Sequence, residues 1–292
     1  MNFSEIVMKT RTSFLAGDKK RDEAKRAPED VERYCDIPYG YDSVWQLLDL
    51  YRPKCAAGQK LPVIVSIHGG GWVYGSKAIY QFYCMSLAQR GFAVVNFTYR
   101  LAPEYKFPAA LEDTNTVMQW IVDHEEVFGL DPQKVFAVGD SAGGNYLGLY
   151  AGFLTNPDYA ARFDFKAPEG LKLLGCGLNC GFYDALSDPD SENGLFAELL
   201  DPEGKYTRTD LDVLTKITPA FPPSYVMSAN GDFLKVQVPS ICAALEKTGV
   251  KHDSKIYGSD EETLYHVFHV DVAKDAATVC NDDEAAFFRS LL

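Results

Sequence analysis

The chain has 292 residues, of which 47% are hydrophobic, 13% aromatic and 24% charged, enough apolar surface to offset chain entropy and exclude global disorder. Its 28 basic side chains stand against 41 acidic ones, and the net charge of −13 argues against nucleic-acid partners and anionic membrane surfaces. The seven cysteines are an odd number in a chain too large to need stapling, so they read as buried thiols in a reducing, cytoplasmic setting.

Residues 3 to about 30 read as a helix with a charged continuation from Asp18 to Arg33, whose bland interpretation is a solvated surface arm. Glu5, Lys9 and Arg11 interrupt any apolar core of an export signal, and no apolar run approaches the roughly 20 residues that span a bilayer. Short apolar, β-branched runs then predict strands over Val31–Ile37, Val44–Tyr51, Pro62–Ile67, Phe92–Tyr99, Lys134–Gly139, Leu171–Leu178, Ser224–Ser228 and Lys251–Tyr257. The first two lie too close for a crossover helix and are expected to form an antiparallel hairpin. Phe107, Leu111, Thr114, Met118 and Ile121 fall at helical spacing, and Asn281 with Glu284 suggests the N-terminal cap of a last helix. Strands alternating with helices predict an α/β fold with a mostly parallel sheet, in one domain over 1–292. The stretch from Gly181 to about Pro219, rich in Asp, Gly, Pro and Ser, is too long for an ordinary connection and reads as a lid or a mobile loop.

The sharpest local signal is Gly139-Asp140-Ser141-Ala142-Gly143, a G-x-S-x-G between a predicted strand and a helical segment. A strained strand-turn-helix elbow of this kind holds a serine clear of the sheet, and the residues two positions either side must be small because side chains would collide there. A plain Gly-rich turn is the structural alternative. The second signal is His68-Gly69-Gly70-Gly71-Trp72 after the strand Pro62–Ile67. Adjacent glycines expose backbone N–H groups that can converge on an oxyanion. A phosphate cradle is disfavoured, because the spacing and Lys-Ser/Thr ending of a P-loop are missing.

A nucleophilic serine needs a base and an orienting acid, both at the carboxyl edge of the sheet. Of five histidines, His68 sits in the glycine loop, His124 ends a helix and His252 opens a strand at the far edge. His266 and His269 remain, and His266 is favoured. Asp232, just after the strand through Val226, is the natural acid, with an Asx-turn residue as the alternative reading.

Together these residues resemble the α/β-hydrolase superfamily and, within it, the hormone-sensitive-lipase-like carboxylesterases, bacterial esterases related to arylacetamide deacetylase. The resemblance covers the chain from about residue 45. It rests on His68 to Trp72, on Gly139 to Gly144, on Tyr99-Arg100-Leu101-Ala102-Pro103-Glu104 with Phe107-Pro108-Ala109, and on Asp232-Phe233-Leu234-Lys235 as the acid loop. Where the family has H-G-F after the last strand, this chain has His266-Val267-Phe268. The resemblance implies an α/β-hydrolase fold with an eight-stranded, mostly parallel sheet flanked by helices, and a small cap from about 1–30 and about 181–219. It also implies structural roles for Arg100 and Glu104.

The expected activity is hydrolysis of short-chain, acetyl-type esters through an acyl-enzyme on Ser141, with His266 as base, Asp232 as acid, and the N–H groups of Gly69, Gly70 and Ala142 as oxyanion hole. Trp72 and Tyr74 are expected to narrow the pocket. Neither a metal nor an organic cofactor is expected, and the partner is a small-molecule ester, with a homodimer left open. The same triad also serves peptidases and amidases, and a non-catalytic binding protein on this fold is the rival from another class.

Overall fold

The computed structural model describes residues 4–187 and 194–292; residues 188–193 of the expected cap lie outside the described residues. Eight strands form one sheet: β1 (Val31–Pro38), β2 (Leu47–Pro53), β3 (Leu61–Ile67), β4 (Ala93–Phe97), β5 (Leu130–Asp140), β6 (Leu173–Asn179), β7 (Ser224–Ala229) and β8 (His252–Tyr257). They lie in the order β1-β2-β4-β3-β5-β6-β7-β8. β2 pairs antiparallel with both β1 and β4, and every later pairing is parallel.

Alternation along β3 explains how the sheet is covered. Val63, Val65 and Ile67 point into a core shared with α3 (Ala109–Asp123), α5 (Ala142–Thr155) and α7 (Val238–Lys247), whereas Ile64 points to the opposite core with α2 (Lys77–Gln89) and α8 (Asp275–Arg289). A strand buried on both faces needs continuous apolar side chains, which is what Val63 to Val65 and Ala93 to Val95 supply. Two single-turn helices, α4 (Glu125–Phe128) and α6 (Pro157–Ala160), complete the set.

Three expectations change. The charged N-terminal segment is no solvated arm: α1 (Glu5–Asp22) is fastened along its length, Arg11 to Glu104 at 2.7 Å, Asp18 to the Tyr74 hydroxyl at 2.9 Å, and Arg21 to the Ile79 carbonyl at 2.5 Å. Beyond it Lys25 reaches Asp271 at 2.9 Å, and β1 begins at Val31. Asn281 and Glu284 do not cap the last helix, which starts at Asp275; both are buried in its interior, Asn281 donating to the His269 carbonyl at 3.1 Å and Glu284 accepting from Asn179 at 2.8 Å. The described part of 181–219 is built from 3₁₀ turns at Leu195–Leu199, Arg208–Leu211 and Leu214–Lys216, with Phe196, Leu199, Leu211 and Val213 buried. Of the cysteines, Cys84, Cys176, Cys180 and Cys280 are buried thiols, but Cys35 and Cys55 are exposed and Cys242 is half-buried; all seven are unpaired. Arg100 and Glu104 serve the framework as expected: Arg100 binds Asp113 and Glu112, while Glu104 holds α1.

Candidate active site

β5 ends at Asp140 and α5 begins at Ala142, so the whole turn is made by Ser141, whose φ of 54° is a strained backbone conformation for a residue with a Cβ. The flanking glycines are sterically required. A Cβ at Gly139 would meet the Gly143 carbonyl oxygen at 2.4 Å, and one at Gly143 would meet the Ile67 carbonyl oxygen at 2.0 Å. The Ser141 N–H is anchored to the Asn179 carbonyl of β6 at 3.1 Å.

Beside the elbow, β3 runs into the glycine loop. His68 is fully buried, stacked on Tyr99 with ring centroids 4.0 Å apart, and burial pushes its imidazole down to about 4. It is a structural residue. The Gly69 N–H is already donated to the Tyr80 hydroxyl at 2.9 Å, and that hydroxyl donates to Asp140 at 2.7 Å. Gly69 therefore has no free donor, which corrects its expected place in the oxyanion hole; Gly70 and Gly71 line the cavity beyond it. Burial raises the Asp140 carboxyl to about 6 despite the Tyr80 hydrogen bond.

The loop after β7 delivers Asp232 and the loop after β8 delivers His266, whose Nδ1 lies 2.8 Å from Asp232 Oδ1. The same oxygen accepts the Leu234 N–H at 2.9 Å, and Oδ2 accepts the Ser228 hydroxyl at 2.8 Å. Burial alone would raise this carboxyl, but hydrogen bonds from His266, Cys180 and Leu234 hold it below its ordinary value. His269 is fully buried, neither ring nitrogen has a hydrogen-bond partner among the described residues, and burial pushes it down to about 3. The geometry thus separates the two candidate histidines: His266 meets the Asp232 carboxylate, and His269 packs edge-on against Tyr83. Ser228 and Tyr80 were not singled out by the sequence, although the hydroxyl four residues before Asp232 was a readable signal.

Ser141 and His266 open onto one cavity of about 710 Å³ with Gly70, Gly71, Trp72 and Tyr74 on its wall. Trp72 packs edge-on against Phe182 and Phe196 at 5.4 and 5.3 Å, and its indole N–H reaches Asn145 at 3.3 Å. From α1 come Ile6, Phe14, Asp18 and Arg21, so the supposed arm is part of the cavity wall. Among the described residues the group whose ligand-type atoms lie within 4.8 Å of one another is Cys180, Asp232 and His266. Its carboxylate already accepts the bonds described above, and burial with the nearby Asp232 charge keeps the Cys180 thiol protonated.

A strand-turn-helix elbow with a serine at the carboxyl end of the fifth strand, over a sheet of this order, is the arrangement of the α/β-hydrolase fold. Comparison with known proteins agrees. A family model described as BD-FAE matches residues 48–170, a stretch holding the glycine loop and the elbow but ending before Asp232 and His266. Esterase LipC of Mycobacterium tuberculosis is 37% identical over 136 residues, 46% of this chain and 32% of that protein. Bovine (Bos taurus) arylacetamide deacetylase is 45% identical over 122 residues, 35% of this chain and 31% of that protein. This chain therefore spans about a third of the length of these relatives. The crystal structure of esterase B from Lactobacillus rhamnosis superposes with a TM-score of 0.89 at 24% identity, covering 98% of this chain and 93% of that one. Over part of its length the chain is thus similar to these esterases, and its fold is the α/β-hydrolase fold. No helix among the described residues is long and apolar enough to cross a membrane.

Proposed function

We propose that the chain is a carboxylesterase that hydrolyses short-chain acyl esters through an acyl-enzyme. Ser141 Oγ attacks the ester carbonyl, His266 takes its proton and passes it to the leaving alcohol, and Asp232 holds the proton on His266 Nδ1. The N–H groups of Gly70, Gly71 and Ala142 stabilise the oxyanion; Ala142 opens α5, where its N–H has no helical partner. Water then attacks the acyl-enzyme by the same route in reverse order of proton transfer. The observation that carries this reading is the 2.8 Å contact between His266 and Asp232 at the edge of the cavity that Ser141 also lines.

The preference for short acyl chains, about two to six carbons, is supported by the interlocked aromatic rings of Trp72, Phe182 and Phe196, which close one side of the cavity. Each methylene gains about 0.8 kcal/mol only while it finds an apolar wall. α1 and the segment 181–219 form the proposed cap, on one domain spanning 1–292. Unpaired thiols support a reducing, cytoplasmic setting.

The test is kcat/KM on nitrophenyl esters of two to sixteen carbons, with Ser141→Ala as control and a fluorophosphonate label on the wild type. The expected result is a maximum at or below six carbons, Ser141 as the labelled residue, and at least about a thousandfold loss in the variant. A maximum at ten carbons or beyond would overturn the chain-length reading, and a variant retaining more than a tenth of the activity would overturn the nucleophile.

A further inference from the structure

Phe233 follows the acid directly and is 69% exposed, yet it sits inside the cavity wall with its ring centroid 4.5 Å from the His266 imidazole. Leu234 and Val236, the latter 72% exposed, line the same wall. The turn Phe233–Gln237 that presents them is fixed at both ends. At the start Asp232 accepts the Leu234 N–H at 2.9 Å; at the end the Gln237 side chain accepts the N–H groups of Tyr183 and Asp184 at 3.1 and 2.8 Å. This exposed aromatic belongs to neither apolar core and, from a rigid turn, meets the His266 imidazole and faces the cavity.

We propose that Phe233 determines specificity for the alcohol half of the ester, selecting flat, apolar, uncharged alcohols of the benzyl or aryl class. The inference rests on the ester-hydrolase reading above. When the tetrahedral intermediate collapses, the bond from the acyl carbon to the alcohol oxygen breaks and that oxygen takes its proton from His266, so it must lie within hydrogen-bond reach of the imidazole. The group it carries then passes along the ring that covers that imidazole. A short acyl chain fills only part of a cavity of about 710 Å³, leaving the rest to the alcohol. Neutrality follows from the described lining: Arg21 is paired with Asp18 at 2.9 Å and also binds Asp22, so an anionic alcohol meets no free cation there, and Asp140, the other acidic lining residue, is 2% exposed and already accepts the Tyr80 hydroxyl at 2.7 Å.

The test compares kcat/KM for benzyl acetate with that for ethyl acetate, the acyl half being identical, in wild type, Phe233→Ala and Phe233→Leu. An aromatic contact of up to about 1.5 kcal/mol corresponds to roughly a tenfold factor, so the benzyl-to-ethyl ratio is expected to fall about tenfold in Phe233→Ala. Leucine, which keeps apolar area without a flat face, should fall between the two. A ratio unchanged within twofold in Phe233→Ala overturns the role of Phe233 while leaving ester hydrolysis intact. A wild-type protein inert toward both acetates overturns the hydrolase reading and this inference with it.

Discussion

Replacing Glu284 by glutamine should make the protein less sensitive to alkaline pH. Glu284 lies in the interior of α8, 1% exposed, with one carboxylate oxygen accepting from Asn179 at 2.8 Å and the other from the Tyr83 hydroxyl at 3.2 Å. Burial pushes its carboxyl from the ordinary 4.5 up to about 7, the two hydrogen bonds offsetting only part of that cost. In the unfolded chain the proton leaves near 4.5; in the folded one it stays until about 7. The folded state thus binds more protons across that window, and the stability this contributes is fully present below 4.5 and lost as pH rises through 7. At about 1.4 kcal/mol per pH unit the loss is on the order of 3 kcal/mol. Glutamine has no proton to lose. Its carbonyl can accept from Asn179, and although its amide would leave the Tyr83 O–H without the acceptor that Glu284 provides, that cost is the same at both pH values and cancels in the comparison. Urea unfolding of wild type and Glu284→Gln, at pH 5 and pH 8, isolates this contribution as the change in their stability difference. That difference should move toward the variant by on the order of 2 kcal/mol between the two conditions. A constant difference, or a shift toward wild type, would refute a neutral, buried Glu284.

The histidines should separate cleanly: His266→Ala abolishes ester turnover, whereas His269→Ala keeps most of it but unfolds at lower denaturant, since it empties a fully buried site; activity lost only in the second variant would reverse the assignment. Ser228→Ala removes a 2.8 Å hydrogen bond to the Asp232 carboxylate, the kind that contributes about 1.5–3 kcal/mol, so kcat should fall roughly tenfold or more while the fold persists. Wild-type kcat in that variant would show that Asp232 needs no such support. Tyr80→Phe leaves the Gly69 N–H and one Asp140 oxygen without their partner, at about 1–3 kcal/mol each. Both unfolding midpoint and turnover should drop, and an unaltered midpoint with full turnover would remove Tyr80 from the support of the glycine loop.

The strands were legible because each is a short apolar run whose residues face covered sides of the sheet, and the elbow because its constraint is steric and local, residing in Gly139, Ser141 and Gly143 themselves. What the sequence concealed depends on partners distant along the chain. Glu284 three residues after Asn281 has the spacing of a capping box, but Asn179 and Tyr83, which bind it, come from β6 and α2. The charges of α1, and Lys25 just beyond it, look like a solvated face until Glu104, Tyr74 and Asp271 are brought beside them, and the wall α1 gives the cavity has no counterpart in local composition. The glycine loop shows the same limit on a smaller scale. Three adjacent glycines announce exposed N–H groups without stating where each points, and it is Tyr80, eleven residues on, that takes the first of them and leaves Gly70 and Gly71 facing the cavity. A hydroxyl that ties the loop to the buried Asp140 thereby couples the proposed oxyanion donors to the residue next to the proposed nucleophile. Rigidity there matters, because donors fixed before the substrate arrives cost no reorganisation when the oxyanion forms.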